Sequence, residues 1–369
     1  MRKAAFVSVL KPVDDIRLFH KIAQTWQEAG YQVHSIGFYS STENQEQVFF
    51  YPIFKFKRLS IRRLLAVWQI FWLLLKIRPQ DVVCGSVEAL PLCVVYKIIF
   101  FRKTRLFYDV QENYYANIRY TRTYPSVIRY PLAFFVRFIE YCSGIFVHCF
   151  LLAEQCYAQQ LPFLGKKFLI LENKPLKKFF QKHFSPPSHR ISSLACVGTI
   201  AEEYGIYQAL DFFEKISHHH YTLYIHGRVA KPTLAEKLTT LASEQVIIRI
   251  SGQPVPYTDI LDTMRQADIL LMPYPINRAY AQRIPTKFYE AMALNKWILV
   301  SDNPHWHYFF IKNQYTKVLF IDFEKITEQD AEKILHYIDE KFLQSSEKFN
   351  VENIFWESEK QGLLDYLNQ

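Results

Sequence analysis

The run with the most chemistry in it is Arg283-Ile284-Pro285-Thr286-Lys287-Phe288-Tyr289-Glu290-Ala291-Met292-Ala293, followed by Trp297-Ile298-Leu299-Val300-Ser301. It reads as a loop with proline, a threonine able to cap, and a helix start carrying Lys287 and Glu290. A helix N-terminus offers unpaired N–H groups and partial positive charge, which suit a phosphate. Glu290, one turn in, can accept two hydrogen bonds from a ribose diol. The same residues fit a capping-box-like start in any α/β unit. Taken alone, the run leaves both readings open.

A second set of polar residues lies in the N-terminal half. Asp109 ends an apolar run, and Glu112 follows it. A carboxylate at a strand end can orient or deprotonate a hydroxyl; it can equally cap the next turn. Asp15 and Arg17 follow the first apolar run, where Arg17 could meet a phosphate and Asp15 could cap a helix. Glu88 is a candidate of the same type. His218-His219-His220 lacks spaced Cys or carboxylate partners, so no metal site is expected.

These residues need elements to hold them. Apolar runs read as strands at 4–10, 31–39, 51–56, 81–85, 105–110, 144–150 and 167–172. Helical patterns lie between them near 15–30, 61–77, 90–100, 126–141 and 152–160. The Pro- and Lys/Arg-rich stretch 174–190 breaks the alternation. Strands then resume at 193–199, 221–226, 246–250, 267–272, 297–301 and 317–322. Helices follow at 204–216, 233–242, 258–265, 286–294 and 328–342, and the tail 351–367 reads as one more. Such alternation implies parallel sheets with helices on both faces, and ligands beyond the carboxyl ends of the strands. The expected domains are 1–175, a hinge 176–190, 191–350, and a C-terminal helix over 351–369.

Composition narrows the partners. The chain has 369 residues, 50% of them hydrophobic and 21% charged, which excludes a disordered chain. Only ten are Gly, and neither a P-loop nor G-x-G-x-x-G occurs. Residues 1–180 hold 25 Lys/Arg and 12 Asp/Glu; the rest hold 19 and 23. A basic half suits an anionic membrane surface, a phosphorylated substrate or nucleic acid, but no nucleic-acid module is recognisable. The 61–77 stretch carries Arg62, Arg63, Trp68, Trp72 and Lys76, with Arg78 just beyond. It fits an interfacial helix, although packing of its Trp and Leu on the sheet is the favoured reading. Arg102, Lys103, Arg105, Arg119, Arg122 and Arg129 extend the basic patch toward anionic headgroups. The six Cys form no C-x-x-C and sit mostly in apolar runs, as buried thiols do in a reducing compartment. No cleavable leader is evident. The longest apolar run, 64–75, is shorter than the ~20 residues of a spanning helix. A cytoplasmic protein, peripheral on the inner face of a membrane, is expected.

The 283–301 run resembles the signature of retaining GT-B glycosyltransferases, glycosyltransferase family 4 in particular. Further segments are similar to that family: Pro12-Val13-Asp14-Asp15-Ile16-Arg17, Tyr108-Asp109-Val110-Gln111-Glu112-Asn113-Tyr114, Cys196-Val197-Gly198-Thr199-Ile200 with Gly205-Ile206, Ile225-His226-Gly227, and Ala267-Asp268-Ile269-Leu270-Leu271-Met272-Pro273-Tyr274. The resemblance implies two Rossmann-like doubly wound parallel-sheet domains facing a central cleft, with a C-terminal helix crossing back to the first. It implies a nucleotide-sugar donor in the second domain, a glycan or lipid-linked acceptor in the first, and no metal or other cofactor. Glu290 would hold the ribose. Lys287 would lie near the donor phosphates or the acceptor face. The backbone at Gly198 and Thr286 would approach the diphosphate, with Gly227 at the nucleotide-side strand end.

Departures from the family pattern fall where charge is needed. Gln282 stands where a Glu faces the sugar, Thr199 and Tyr204 where a basic pair meets the diphosphate, and Gln111 where a His is usual. Arg283, Lys287 or Arg228 could replace the missing cations, since an anion needs them in space and not in order. The substitutions also fit a donor with one phosphate, or an inactive homologue. The expected activity is sugar transfer with retention, in surface glycan biosynthesis, with Asp109, Gln111 and Glu112 as catalytic candidates and Asp15, Arg17 and Glu88 on the acceptor side. A non-catalytic subunit binding a partner or membrane, and a nucleotide-sugar epimerase, stay open.

Overall fold

A computed structural model of the chain describes residues 1–40, 43–44, 46–55, 63–100, 104–121, 124–180, 191–216, 220–278, 280–344 and 352–368. Arg62, Arg102, Lys103, Arg122, His218, His219 and residues 181–190 of the expected hinge lie outside them. The chain divides into two compact units: Met1–Leu176 with Phe355–Gln369, and Lys177–Ile354.

The first unit holds seven parallel strands: β1 (Lys3–Pro12), β2 (Gln32–Phe38), β3 (Val48–Phe54), β4 (Asp81–Cys84), β5 (Arg105–Val110), β6 (Cys149–Leu152) and β7 (Phe168–Ile170). Their order is β3-β2-β1-β4-β5-β6-β7. Its helices are α1 (Gln24–Glu28), α2 (Arg63–Ile77), α3 (Leu90–Ile99), α4 (Tyr114–Tyr120), α5 (Ser126–Gly144), α6 (Tyr157–Gln160) and the tail helix α13 (Trp356–Leu367). Among the described residues the second unit holds six parallel strands: β8 (Ser193–Thr199), β9 (Thr222–Arg228), β10 (Val246–Ser251), β11 (Ile269–Met272), β12 (Trp297–Ser301) and β13 (Val318–Ile321). Their order is β10-β9-β8-β11-β12-β13. Helices α7 (Ile206–Glu214), α8 (Pro232–Thr239), α9 (Tyr257–Gln266), α10 (Thr286–Ala293), α11 (Pro304–Lys312) and α12 (Glu328–Gln344) cover them.

Continuous apolar runs form the central strands because both faces are covered. All four residues of β4, β6 and β11 are buried. In each unit the chain reverses its winding beside the first strand: β1 lies between β2 and β4, and β8 between β9 and β11. Those reversals are where open α/β sheets bind ligands. On one face of the first sheet Trp26 packs edge-on against Phe6 and Phe107 and donates Nε1–H to the buried Asp81 at 2.8 Å. The tail helix completes this unit. Trp356 N–H donates to Pro175 O at 2.8 Å, and Lys174 pairs with Glu359 and Lys360 with Glu28. Trp356, Leu363 and Leu367 are buried.

The sequence places every strand within a few residues, with one shift. Helix α5 runs to Gly144 and β6 starts only at Cys149. The apolar run 144–150 carries no turn residue except the glycine that ends the helix. Two helices, α4 and α11, lie where none is expected. Each is capped by asparagine: Asn113 Oδ1 accepts from Ala116 N at 3.2 Å, and Asn303 Oδ1 from His305 N at 2.9 Å. Both are aromatic-rich, with modest helix propensity and no clean apolar stripe. All six cysteines are free, but Cys142 is exposed and Cys156 half-buried instead of core. Helix α2 also departs from expectation: Ala66, Ile70 and Leu74 face the core, whereas Trp68 and Trp72 are exposed.

Helix α5 sets a buried ion pair against the sheet. Arg137 pairs with Glu140, and Tyr108 donates its hydroxyl to Glu140 Oε1 at 3.0 Å. Burial pushes the Glu140 carboxyl up from 4.5 to about 7, against the opposing pull of Arg137. A carboxyl that holds its proton more tightly when folded favours the folded state at low pH. That contribution is lost as pH rises from about 4.5 to about 7. Urea midpoints across this range should fall with rising pH in the wild type and stay flatter in Glu140→Gln; equal slopes would refute the assignment.

Candidate active site

In the second unit the carboxyl end of β8 sits beside the start of α10. Gly198, next to last in the strand, has φ of 105°, a conformation that favours glycine. A Cβ there would stand 3.1 Å from Lys287 Cε, so the lysine stem lies across the glycine backbone. The neighbouring strand end is equally tight: a Cβ at Gly227 would lie 1.8 Å from Gly198 O. No side chain fits between the ends of β8 and β9. Thr199 is the register partner of Arg228, which donates Nε–H to Gly252 O at 3.3 Å.

Lys287 Nζ forms an ion pair with Glu290 Oε2. Glu290 is 2% exposed, and its Oε1 accepts from the Tyr257 hydroxyl at 3.0 Å. Burial, with the Glu290 charge beside it, drives the Tyr257 hydroxyl far above its ordinary pKa, so it stays a donor. Thr286 does not cap α10, correcting the expectation. It is the first helical residue; Pro285 holds the cap position and makes no side-chain cap hydrogen bond. Helix α7 likewise starts at Gly205 with no side-chain cap, and a Cβ at Gly205 would collide with Pro273 O.

The loop before α10 is fastened by α11. Asn303 Nδ2 donates to Ala281 O at 2.8 Å, and Trp306 Nε1 to Arg283 O at 2.9 Å. Arg283 stacks its guanidinium over Tyr280, 5.1 Å from the ring centroid. Gln282 is exposed. Tyr204, one of the residues in place of the family's basic pair, packs with Tyr274 and Tyr280. The 3-10 turn Glu202–Tyr204 adds two acids beside Lys231. Gly198, Gly227, Lys287 and Glu290 therefore converge as the sequence implies, and Thr199 and Arg228 flank them. Tyr257, Asn303 and Trp306 were missed, because each acts through tertiary contact with no local pattern to mark it.

Tyr257→Phe removes one hydrogen bond to a carboxylate and nothing else. At ~1.5 kcal/mol this should lower the melting temperature of the second unit by about 3–6 °C. Thermal unfolding measures it; an unchanged melting temperature would show that Glu290 is held without Tyr257.

In the first unit Asp109 is next to last in β5 and is fully buried. Arg17 Nε reaches Asp109 Oδ1 and Oδ2 at 3.1 and 3.3 Å, and Arg17 Nη2 reaches Oδ1 at 2.8 Å. Gln111 Nε2 donates to Oδ2 at 2.8 Å, and Arg17 Nη1 to Leu171 O at 2.8 Å. Arg17 is thus 5% exposed and committed to Asp109, not presented at an edge for a phosphate. Asp15 Oδ1 accepts from Arg17 N and Leu18 N at 3.0 and 2.9 Å, opening the π-helical turn Leu18–Ala23 that leads into α1. Glu112 is exposed and accepts from Asn117 Nδ2 at 2.5 Å. Burial, then the charges of Glu112, Glu88, Glu140 and Asp109, push the Tyr114 hydroxyl well above its ordinary pKa.

Two doubly wound parallel-sheet units are the arrangement of the GT-B glycosyltransferase fold. Residues 192–340, most of the second unit, match the model of the family Glycosyl transferases group 1. The fold is similar to sucrose-phosphate synthase from Thermosynechococcus elongatus, with a TM-score of 0.71, 12% identity, and 100% and 99% of the two chains covered. It is also similar to HepE of Anabaena in complex with UDP and glucose (TM-score 0.65, 10% identity, 100% of both chains covered). A third similar structure is the catalytic domain of Starch Synthase IV from Arabidopsis thaliana, bound to ADP and acarbose (TM-score 0.65, 11% identity, 100% and 98% covered). No curated protein matches the chain by sequence.

Proposed function

We propose that this chain transfers a sugar, with retention, from a nucleoside-diphosphate sugar to a hydroxyl of a glycan or lipid-linked acceptor in surface glycan biosynthesis. The observation that carries this reading is the Lys287–Glu290 pair laid across Gly198 at the carboxyl end of β8. Glu290 would bind the ribose diol and release Lys287 to the phosphates. Arg228, beside Thr199, would add a second cation, which favours a diphosphate over a monophosphate donor. The N-terminus of α10 would supply oriented N–H groups. Fixed charges of this kind stabilise a departing phosphate without reorganising in the transition state. No metal or other cofactor is invoked. On the acceptor side Glu112 is the exposed carboxylate able to take a proton, while buried Asp109 positions Arg17 and Gln111. The excess of Lys/Arg in residues 1–180 suits work at an anionic membrane surface on the cytoplasmic side.

Because HepE is seen with UDP and glucose, uridine-linked sugars come first in the test. Thermal unfolding is compared with uridine-, guanosine- and cytidine-diphosphate sugars. A ligand at 100 times its Kd stabilises by ~2.7 kcal/mol, a shift of several degrees. One nucleotide class should give that shift and a slow release of free sugar. No shift with any of them, or a shift without sugar release even when acceptor glycolipids are added, would overturn the proposal.

A further inference from the structure

Helix α5 is built inside out for water. Of its three charged residues Arg129 is half-buried, and Arg137 and Glu140 turn inward, with side chains 15% and 0% exposed; Arg137 also donates to Asn113 Oδ1 at 2.7 Å. The opposite stripe is apolar: Val127, Phe134, Phe135, Phe138, Tyr141 and Ile145 are each more than half exposed. A water-facing helix shows the reverse arrangement. Helix α3 packs against both α2 and α5 and exposes Ile98 and Ile99, while α2 exposes Trp68 and Trp72. Contiguous apolar surface of this extent marks an interaction site.

The charge around it selects the partner. Residues 47–153 contain fifteen Lys/Arg and five Asp/Glu. Helices α2 and α3 have no acidic residue, and the only one in α5 is the buried Glu140. Lys76 and Arg78 are exposed at the end of α2, and Arg119 stacks over Tyr130 beside the stripe. A two-fold pairing of this face with itself would set cations against cations with no carboxylate to pair them. An anionic lipid surface offers apolar depth and negative charge together. Among the described residues no helix is long and apolar enough to cross a membrane.

We propose that the outer faces of α5, α3 and α2 form one membrane-inserting surface, which buries its aromatic side chains in the acyl boundary of an anionic leaflet without crossing it. This rests on the membrane reading above and replaces attraction by charge alone with insertion of a defined face.

The test is flotation of the full chain with phosphatidylcholine vesicles containing about 30% phosphatidylglycerol, at low salt and at ~0.5 M salt, where surface charge is screened. The wild type should bind in both. The variant Phe134→Ser/Phe135→Ser/Phe138→Ser should lose about 100-fold in partitioning with an unchanged circular dichroism spectrum. In a second measurement, brominated phosphatidylcholine in the same vesicles should quench wild-type tryptophan fluorescence. Trp68→Phe/Trp72→Phe should lose that quenching, because Trp26, Trp297, Trp306 and Trp356 are buried. Complete release at ~0.5 M salt, with no bromolipid quenching, would overturn insertion and leave charge attraction standing. No flotation at either salt would overturn the membrane reading as well. A dimer in solution that the triple Ser variant dissociates, without flotation, would assign the face to a second copy and overturn the proposal.

Discussion

Glu290→Ala should lower kcat/KM for the nucleotide sugar by about 1,000-fold. Two hydrogen bonds from the ribose to a carboxylate are worth ~1.5–3 kcal/mol each, and tenfold in rate corresponds to ~1.4 kcal/mol. The loss should be mainly in affinity, since the ribose is remote from the bond that breaks. Sugar release from donor alone and calorimetric titration of the free nucleoside diphosphate measure it without knowledge of the acceptor. Glu290→Gln keeps two acceptor lone pairs but not the charge, so it should fall between. Lys287 remains partly solvated when Glu290 is removed, its side chain being 19% exposed, and the fold should survive the change. Rates within threefold of wild type would show that the carboxylate serves only to hold Lys287.

Arg17→Ala should have its largest effect on stability. Asp109 is fully buried and Arg17 supplies three of its four hydrogen bonds. Removing one partner of a buried pair strands the other charge, at a cost of about 3–5 kcal/mol. For a unit of this size that is a fall of roughly 6–20 °C in the first transition. Arg17→Lys should recover little, because one ammonium cannot reproduce the fork. The apolar pair Arg17→Met with Asp109→Leu should recover much of the loss, which would mark the ion pair as scaffolding. A melting point within 2 °C of wild type for Arg17→Ala would show that Asp109 is held otherwise.

The strand runs and the 283–301 motif were legible because their signals are local. Period-2 and continuous apolar runs, Pro285, and the three-residue spacing of Lys287 and Glu290 need no tertiary knowledge. The convergence of Gly198 with Lys287 came only from resemblance, since 89 positions separate them. Helices α4 and α11 hid because their aromatic residues blur the helical stripe, and asparagine marks a turn as readily as a cap. Arg17 shows the limit most clearly. A strand-end arginine next to an acidic turn looks available to an anion, and only the fold reveals a carboxylate 92 residues away already occupying it. Trp68 and Trp72 misled in the opposite direction, for apolar period alone assigns them to the core.

The return of α13 to the first unit also governs the order of assembly during synthesis. Residues 355–369 leave the ribosome after the whole of Lys177–Ile354. At 5–20 residues per second, the earlier unit waits roughly 10–35 s for its last helix. Over that interval the surface that later receives Trp356, Leu363 and Leu367 faces water, and Lys174 and Glu28 lack the partners that Glu359 and Lys360 will bring. The second unit lies in one continuous segment and needs no later helix to complete it. The first unit, whose strands are made first, is thus the one completed last.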